Sequence, residues 1–287
     1  EVKVYGLTTG FGSKRDVFID PSEVRELQRN LIMSHACGVG RPLEEDQARA
    51  TMLLRANTLA RGVSGVRVAV VEALLELLNR GVYPYIPEKG SLGASGDLCP
   101  LSHLALVLMG HPQGRVHRDE DIERNSRGHR TVEDPWSKHF ESSTPERLVE
   151  RFGFSPIELE AKEGLALNNG TQMMSAIGVL TLVDAEQLVK TAEVACAASI
   201  EAAKGIVAAF DERLHAARPY AGQIQTAANL RQLLEGSDIL HLELNVAQIT
   251  RVTDLLGQAH ELLSLDGSEG GAGVASELLA LMEELDA

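Results

Sequence analysis

Aromatic residues make up only 4% of the 287-residue chain, one Trp, four Tyr and six Phe. So few large, flat side chains count against a β-sandwich, and the abundance of Ala, Leu and Val favours helices packed on helices. Cysteine is scarce. Cys37, Cys99 and Cys196 lie far apart with no CxxC pair, which excludes a disulfide framework and fits a reducing compartment, so a cytoplasmic location is expected. Positive charge is short as well: 27 Lys and Arg face 41 Asp and Glu, a net charge of -14. A nucleic-acid partner calls for a basic surface, and an anionic membrane repels an acidic one, so neither is expected. Long apolar runs are missing. The most apolar stretch, Val66 to Leu78, carries Arg67, Glu72 and Glu76 and is too short and too charged to span a bilayer. No signal-peptide pattern or initiator Met is seen; the chain opens Glu1-Val2-Lys3-Val4 and runs straight into a motif, as if residues upstream were missing. What remains is 44% apolar, enough for a large core and too much for a disordered chain.

The first motif is Tyr5 to Gly12, YGLTTGFG, whose glycines and threonines describe an ordered loop. From Asp20-Pro21-Ser22-Glu23 the pattern turns helical, with Val24, Leu27, Leu31 and Ile32 on one face. Further helices are predicted from about Leu43 to Arg61 and from Val66 to Leu78. Pro84, Pro87, Gly90, Gly93 and Gly96 then break regular structure until Pro100 opens an apolar helix reaching Met109. Residues 111–150 are polar, charged and aperiodic, which predicts a mobile surface excursion. Thr171 to Phe210 has no Pro and few Gly and predicts a helix of roughly 60 Å. Its apolar residues lie on more than one face, as in a bundle or at a subunit interface. Helices are also predicted over Gln223–Leu234, His241–Leu265 and Val274–Leu285, the last after a Gly267–Gly273 linker. The expected architecture is all-α. The expected segments are 1–110 with the loop system, 111–150 as the excursion, and 151–287 as a long-helix bundle segment.

Chemistry concentrates in Lys89 to Leu106, KGSLGASGDLCPLSHLAL. Gly96 has no side chain, so its amide nitrogen is free to approach the Ala94 carbonyl carbon across Ser95. Closing that C–N bond and losing two waters, one carrying the Ser95 hydroxyl, leaves an imidazolone with an exocyclic methylene. That group is an electrophile of a kind no ordinary side chain supplies. Asp97 and Pro100 mark a helix N-terminus directly downstream, whose dipole favours negative charge developing on the ring.

GSLGASGDLCPLSHLAL resembles the segment from which the aromatic amino acid ammonia-lyases form 4-methylidene-imidazol-5-one (MIO). YGLTTGFG is similar to the family's Tyr-Gly-x-x-Thr-Gly-Phe-Gly loop, and LQRNLIMSHACGVG (Leu27 to Gly40) to its selectivity helix. EGLALNNGTQ (Glu163 to Gln172) and ARPYAGQ (Ala217 to Gln223) resemble two later motifs. The matches follow the family's order. The resemblance implies the long-helix fold of these lyases, with the prosthetic group carried on the N-terminal loop system. It also implies an MIO group from Ala94, Ser95 and Gly96, and no external cofactor or metal. Sites would be shared between the subunits of a homotetramer.

Within the family a residue pair on the selectivity helix separates substrates. Ser34-His35 is similar to the Ser-His pair of the histidine lyases, and an imidazole there can exchange a hydrogen bond with a substrate imidazole. The implied reaction is L-histidine to urocanate and ammonia. Tyrosine or phenylalanine lyases or aminomutases are the sister alternatives. By resemblance Tyr5 is the general base or an active-site phenol, Asn169 bonds the ring or substrate, and His35 with Ser34 binds the substrate side chain. The family's later Gln-Asp-x-Tyr-Ser-x-Arg segment, with its second Tyr and carboxylate-anchoring Arg, and a later pocket Glu do not occur in this sequence. A non-catalytic helical assembly subunit derived from the family is therefore the alternative from another class.

Plain structural roles stand beside each assignment. The tripeptide can be an ordinary turn, Tyr5 a packed tyrosine, His35 a buried histidine bonded to backbone, and Asn169 a cap of the long helix. His103, on an apolar helix, reads as structural. His111, His117, His129 and His139 have no zinc-site spacing.

Overall fold

The computed structural model describes residues 2–118, 140–241 and Asp254. It is mostly helical, as expected. The chain forms two compact units, Glu1–Glu186 and Gln187–Ala287.

In the first unit, a single 3-10 turn at Pro21–Glu23 leads into α1, Val24–His35. The turn is closed by the Asp20 carboxylate, which accepts from Ser22 N at 2.9 Å and Ser22 Oγ at 2.6 Å. Helix α2, Glu45–Ala60, starts at a capping box in which Gln47 Oε1 accepts from Glu44 N at 3.1 Å. It buries Ala48, Met52, Arg55 and Leu59 along one stripe. Helix α3, Val68–Asn79, packs against α2 and buries Val70, Leu74 and Leu77. Helix α4, Leu98–Leu108, is buried nearly all round, which is why its sequence carries so little amphipathic pattern. Helix α5, Pro145–Phe152, begins at Thr144 and ends at Gly153 with φ +65°. The short α6, Glu163–Asn168, packs on both α1 and α4. One core runs through all of these, centred on Ile32, Met52, Leu74, Leu104, Phe152 and Phe154.

Two small antiparallel sheets were not expected. In one, β1 (Val39–Pro42) pairs with β3 (Pro87–Lys89), Val39 opposite Lys89. In the other, β4 (Arg115–Arg118) lies between β2 (Val82–Pro84) and β5 (Glu141–Ser142). Strands of two to four residues, three of them carrying proline, are too short for period-2 alternation to register. The second sheet draws both described ends of the 111–150 segment onto the fold. Residues 119–139, including His129 and His139, lie outside the described residues.

Helix α7, Gln172–Ala202, is the longest, roughly 46 Å at 1.5 Å per residue. It stops eight residues short of the expected Phe210. Lys204 adopts φ +48° and Gly205 N returns to Ile200 O at 2.8 Å, a C-terminal closure whose left-handed residue is Lys204. Val179, Leu182, Val183, Leu188, Val189 and Val194 on this helix are each more than half exposed.

In the second unit, α8 (Glu212–Ala216) and α9 (Ala221–Leu233) follow. A four-residue α10 (Asp238–His241) comes after them. Ala197, Leu230 and Leu234 form a small core there. The Glu193 carboxylate accepts from Thr226 Oγ1 and Asn229 Nδ2, both at 2.7 Å. The helices expected over His241–Leu265 and Val274–Leu285, and the Gly267–Gly273 linker, lie outside the described residues but for His241 and Asp254. No helix among the described residues is long and apolar enough to cross a membrane.

Candidate active site

The Ala94-Ser95-Gly96 bend sits between β3 and α4. Ala94 and Ser95 are exposed, whereas Gly96 and Asp97 are buried. Gly96 has φ +143°, and a Cβ there would lie 2.7 Å from Gly170 N, 2.9 Å from Gly170 O and 3.1 Å from Asn169 Oδ1. Only glycine allows this approach, because two backbone atoms stand where a side chain would begin. The structure thus brings Gly96 and Asn169 together across 73 residues of sequence.

Asp97 fastens the bend. Its N–H donates to Gly170 O at 2.6 Å. Its carboxylate, 1% exposed, accepts from Ser91 Oγ at 2.9 Å and from Met174 N at 2.8 Å. Met174 N is one of the N-terminal donors of α7, so Asp97 caps that helix from a distant point in the chain. The cap considered for Asn169 therefore falls to Asp97. Asn169 instead follows α6, with its N–H donating to Leu165 O at 3.0 Å, and its side chain is exposed. The neighbouring Asn168, which sequence reasoning passed over, is fully buried and donates to Ser102 Oγ at 3.3 Å.

Ser34 and His35 end α1. Ser34 Oγ donates to Leu31 O at 2.9 Å, and His35 Nδ1 lies 2.9 Å from the same oxygen. Ser34 Oγ also lies 3.0 Å from His35 Nδ1, so Nδ1 is held between the Leu31 carbonyl and the Ser34 hydroxyl, as donor or acceptor according to the tautomer. His35 Nε2 makes no hydrogen bond among the described residues. The chain beyond His35 turns onto α4, where Gly38 N donates to His103 Nε2 at 3.1 Å. β1 then pairs with β3, just ahead of the bend. Helix end and bend are thereby tied to one support.

His103, on the apolar α4, accepts the Gly38 hydrogen bond from the chain that follows His35. Burial pulls its pKa down to about 4. Its unfolded value is near 6.5, so the unfolded chain binds more protons between those limits. Stability from this group is complete above pH 6.5 and lost as pH falls to 4, by up to about 3 kcal/mol. His103→Gln keeps an acceptor for Gly38 N without titrating. Urea unfolding between pH 4 and 7 is expected to show a flatter pH dependence for that variant than for wild type.

Tyr5 is about half exposed, and its hydroxyl accepts from Gly12 N at 3.1 Å. Its ring meets Phe11 edge-on at 5.9 Å, and Lys162 Nζ lies 5.5 Å from the ring centroid. Lys162 also donates to Tyr5 O at 2.8 Å, from a backbone held at φ +76°. No hydrogen bond among the described residues joins Tyr5 or His35 to the bend. The Tyr5 loop is positioned by Gln28, a fully buried residue of α1. Gln28 Oε1 accepts from Gly164 N at 3.0 Å, and Nε2 donates to Gly6 O at 3.5 Å. Tyr5 and Asn169 therefore sit at opposite ends of α6, about 9 Å of helix.

Besides Asn168, the buried polar residues Gln28, Arg55 and Glu163 escaped sequence reasoning. A polar residue on an otherwise apolar helical stripe is the signal that could have found the first two. Glu163 accepts from Arg67 N, Nε and Nη2 at 2.8–3.0 Å and from Glu160 N at 2.8 Å. Burial pushes its carboxyl up, and these donors more than reverse that, holding it below the usual value. Among the described residues no group of three or more His, Cys, Asp and Glu could hold a metal ion.

Residues 1–257 match the family described as aromatic amino acid lyase. The chain belongs to that family. A histidine ammonia-lyase from Alkaliphilus oremlandii is 53% identical over 237 residues, 83% of this chain and 42% of that protein. One from Bacillus cytotoxicus is 49% identical over the same length, 83% of this chain and 43% of that protein. Among solved structures, histidine ammonia-lyase from Trypanosoma cruzi superposes with a TM-score of 0.67 at 39% identity, covering 79% of this chain and 39% of that one. A tyrosine aminomutase from Streptomyces globisporus gives 0.70 at 39% identity, covering 94% and 45%. The chain thus spans about two-fifths of the length of the curated relatives it matches.

Proposed function

We propose that the protein carrying this chain eliminates ammonia from L-histidine to give urocanate, using an MIO group formed from Ala94, Ser95 and Gly96. The observation that carries the reading is the fit of the bend to that group. A glycine wedged against the Asn169-Gly170 backbone, with small exposed residues before it and a buried Asp97 behind it, suits cyclisation across Ser95. Ala94, Ser95 and Gly96 supply the ring atoms, and Asn169 flanks them. The methylene of the finished ring supplies the electrophile that labilises the amine.

The chain's own residues do the rest. The elimination breaks the Cα–N bond and one Cβ–H bond and forms a C=C bond, so a proton must leave Cβ. Tyr5 is the residue assigned to take that proton, its phenolate oxygen becoming the phenol as the Cβ–H bond breaks. His35, with Nδ1 tied to Leu31 O, presents Nε2 to the substrate side chain, and Ser34 fixes the turn from which it projects. The histidine lyases among the relatives support this substrate class. The similarity to a tyrosine aminomutase supports a second reading, in which tyrosine or phenylalanine is the substrate. The exposed apolar surface of α7 supports assembly into a homotetramer with shared sites, since an apolar face that long is normally covered. The scarcity of cysteine supports a cytoplasmic setting.

Near-ultraviolet absorbance for the C=C bond of a lyase product, together with amino-acid analysis for the β-amino acid of an aminomutase, decides between substrates. A rise with L-histidine and none with L-tyrosine or L-phenylalanine is expected. Turnover of L-tyrosine or L-phenylalanine alone would replace the histidine reading by the second. A folded, fully assembled protein inert to all three would favour the non-catalytic subunit.

A further inference from the structure

Arg55 lies in the middle of α2, outside every motif, and is 3% exposed. No carboxylate pairs with it among the described residues. Its Nη1 donates to Gln172 Oε1 at 2.5 Å and its Nη2 to the Asn169 carbonyl at 3.1 Å, while Nε has no partner. Gln172 is held in turn, since its Nε2 donates to Thr58 Oγ1 at 3.1 Å. A helix that needed only packing here would carry Leu or Met, because a buried cation without a counter-charge is costly. Burial alone brings the guanidinium down to about 10, so it stays charged at neutral pH.

The place of that charge is specific. It grips both sides of Gly170, and a Cβ on Gly170 would strike the Arg55 guanidinium and the Gln172 amide. Gly170 is the residue whose backbone closes on Gly96 and accepts from Asp97 N. The Asn169 carbonyl and the Gly170 N–H belong to one peptide group. A cationic donor at the oxygen polarises that group and strengthens the N–H as a donor.

We propose that Arg55 is a positioning residue for ring formation, holding Asn169-Gly170-Thr171-Gln172 against Gly96 and Asp97 so that the Ala94-Ser95-Gly96 bend cyclises. This rests on the function proposed above. Cyclisation forms the Gly96 N to Ala94 C bond and releases two waters, one from the Ala94 carbonyl oxygen and one from Ser95. Arg55 touches none of these atoms and acts through Gly170.

The test is the mass of the peptide spanning the bend, sampled at intervals after a pulse of synthesis of the protein carrying this chain. Wild type, Arg55→Met, Arg55→Lys and the core control Leu74→Ala are compared on folded, soluble material. Arg55→Met is expected to cyclise at least about tenfold more slowly than Leu74→Ala, a slowing equivalent to about 1.4 kcal/mol in barrier. Arg55→Lys, which keeps the charge, is expected to recover part of the rate. Equal rates for Arg55→Met and Leu74→Ala overturn the role of Arg55. Should Arg55→Met not fold, Gln172→Met removes one acceptor and leaves Arg55 in place; cyclisation slower than in Leu74→Ala supports the role, and an equal rate overturns it. A folded wild type that never loses water overturns the ring reading itself, and this inference with it.

Discussion

Gly96→Ala is expected to leave the protein at the mass calculated from its sequence and to reduce turnover of L-histidine at least about a thousandfold. The added Cβ would stand 2.7 Å from Gly170 N and 2.9 Å from Gly170 O, in a backbone at φ +143°. Backbone atoms cannot swing aside as a long side chain can. Overpacking and the unfavourable dihedral each cost about 1–3 kcal/mol. A combined cost of about 4 kcal/mol, met by opening the bend, corresponds to a thousandfold in rate. Ser95→Ala separates the two consequences. Ser95 is exposed and makes no hydrogen bond among the described residues, so that variant is expected to melt at the wild-type temperature and still form no methylene. Intact mass, the melting curve and an absorbance assay read all three expectations.

Glu163→Ala is expected to cost about 3–5 kcal/mol of stability, read as a lower urea midpoint. The carboxylate is 1% exposed and collects donors from Arg67 and from the backbone at Arg67 and Glu160. Removing it strands two backbone N–H groups, each costing about 1–3 kcal/mol when buried without a partner. The Arg67 side chain is 47% exposed, so its charge can return to water and adds less than a fully buried partner would. The pH dependence has a definite sign. Because the folded carboxyl is held below its ordinary value, its stabilisation is complete above the unfolded carboxylate pKa, about 4.3, and is lost as pH falls through the folded one. That window lies below most of the one assigned to His103, so the two contributions separate in an acid titration.

These effects show which parts of the molecule could be read from the sequence. The tripeptide proposed to cyclise is contiguous, and the proposed covalent chemistry calls for these residue types, so Ala94, Ser95 and Gly96 stand out from the sequence alone. Helices α1 to α3 were legible because their apolar residues recur at helical spacing. The site's supports were not legible, since each is a pairing between distant positions. Asp97 caps a helix beginning 75 residues later. Arg55 holds a carbonyl 114 residues away, and Gln28 an amide 136 residues away. No local pattern announces such partners; a polar residue on a buried stripe says only that some partner exists. The end of α7 was misplaced for a local reason, a Lys-Gly closure inside an alanine-rich run.

The central claim is that the Ala94-Ser95-Gly96 bend dehydrates itself into the electrophile. Tandem mass spectrometry of the peptide spanning that bend, taken from the folded and assembled protein, tests it most directly. Loss of two waters, about 36 Da, with the deficit localised to these three residues, is the result expected of this covalent change. An unaltered Ala-Ser-Gly sequence in that peptide would contradict it.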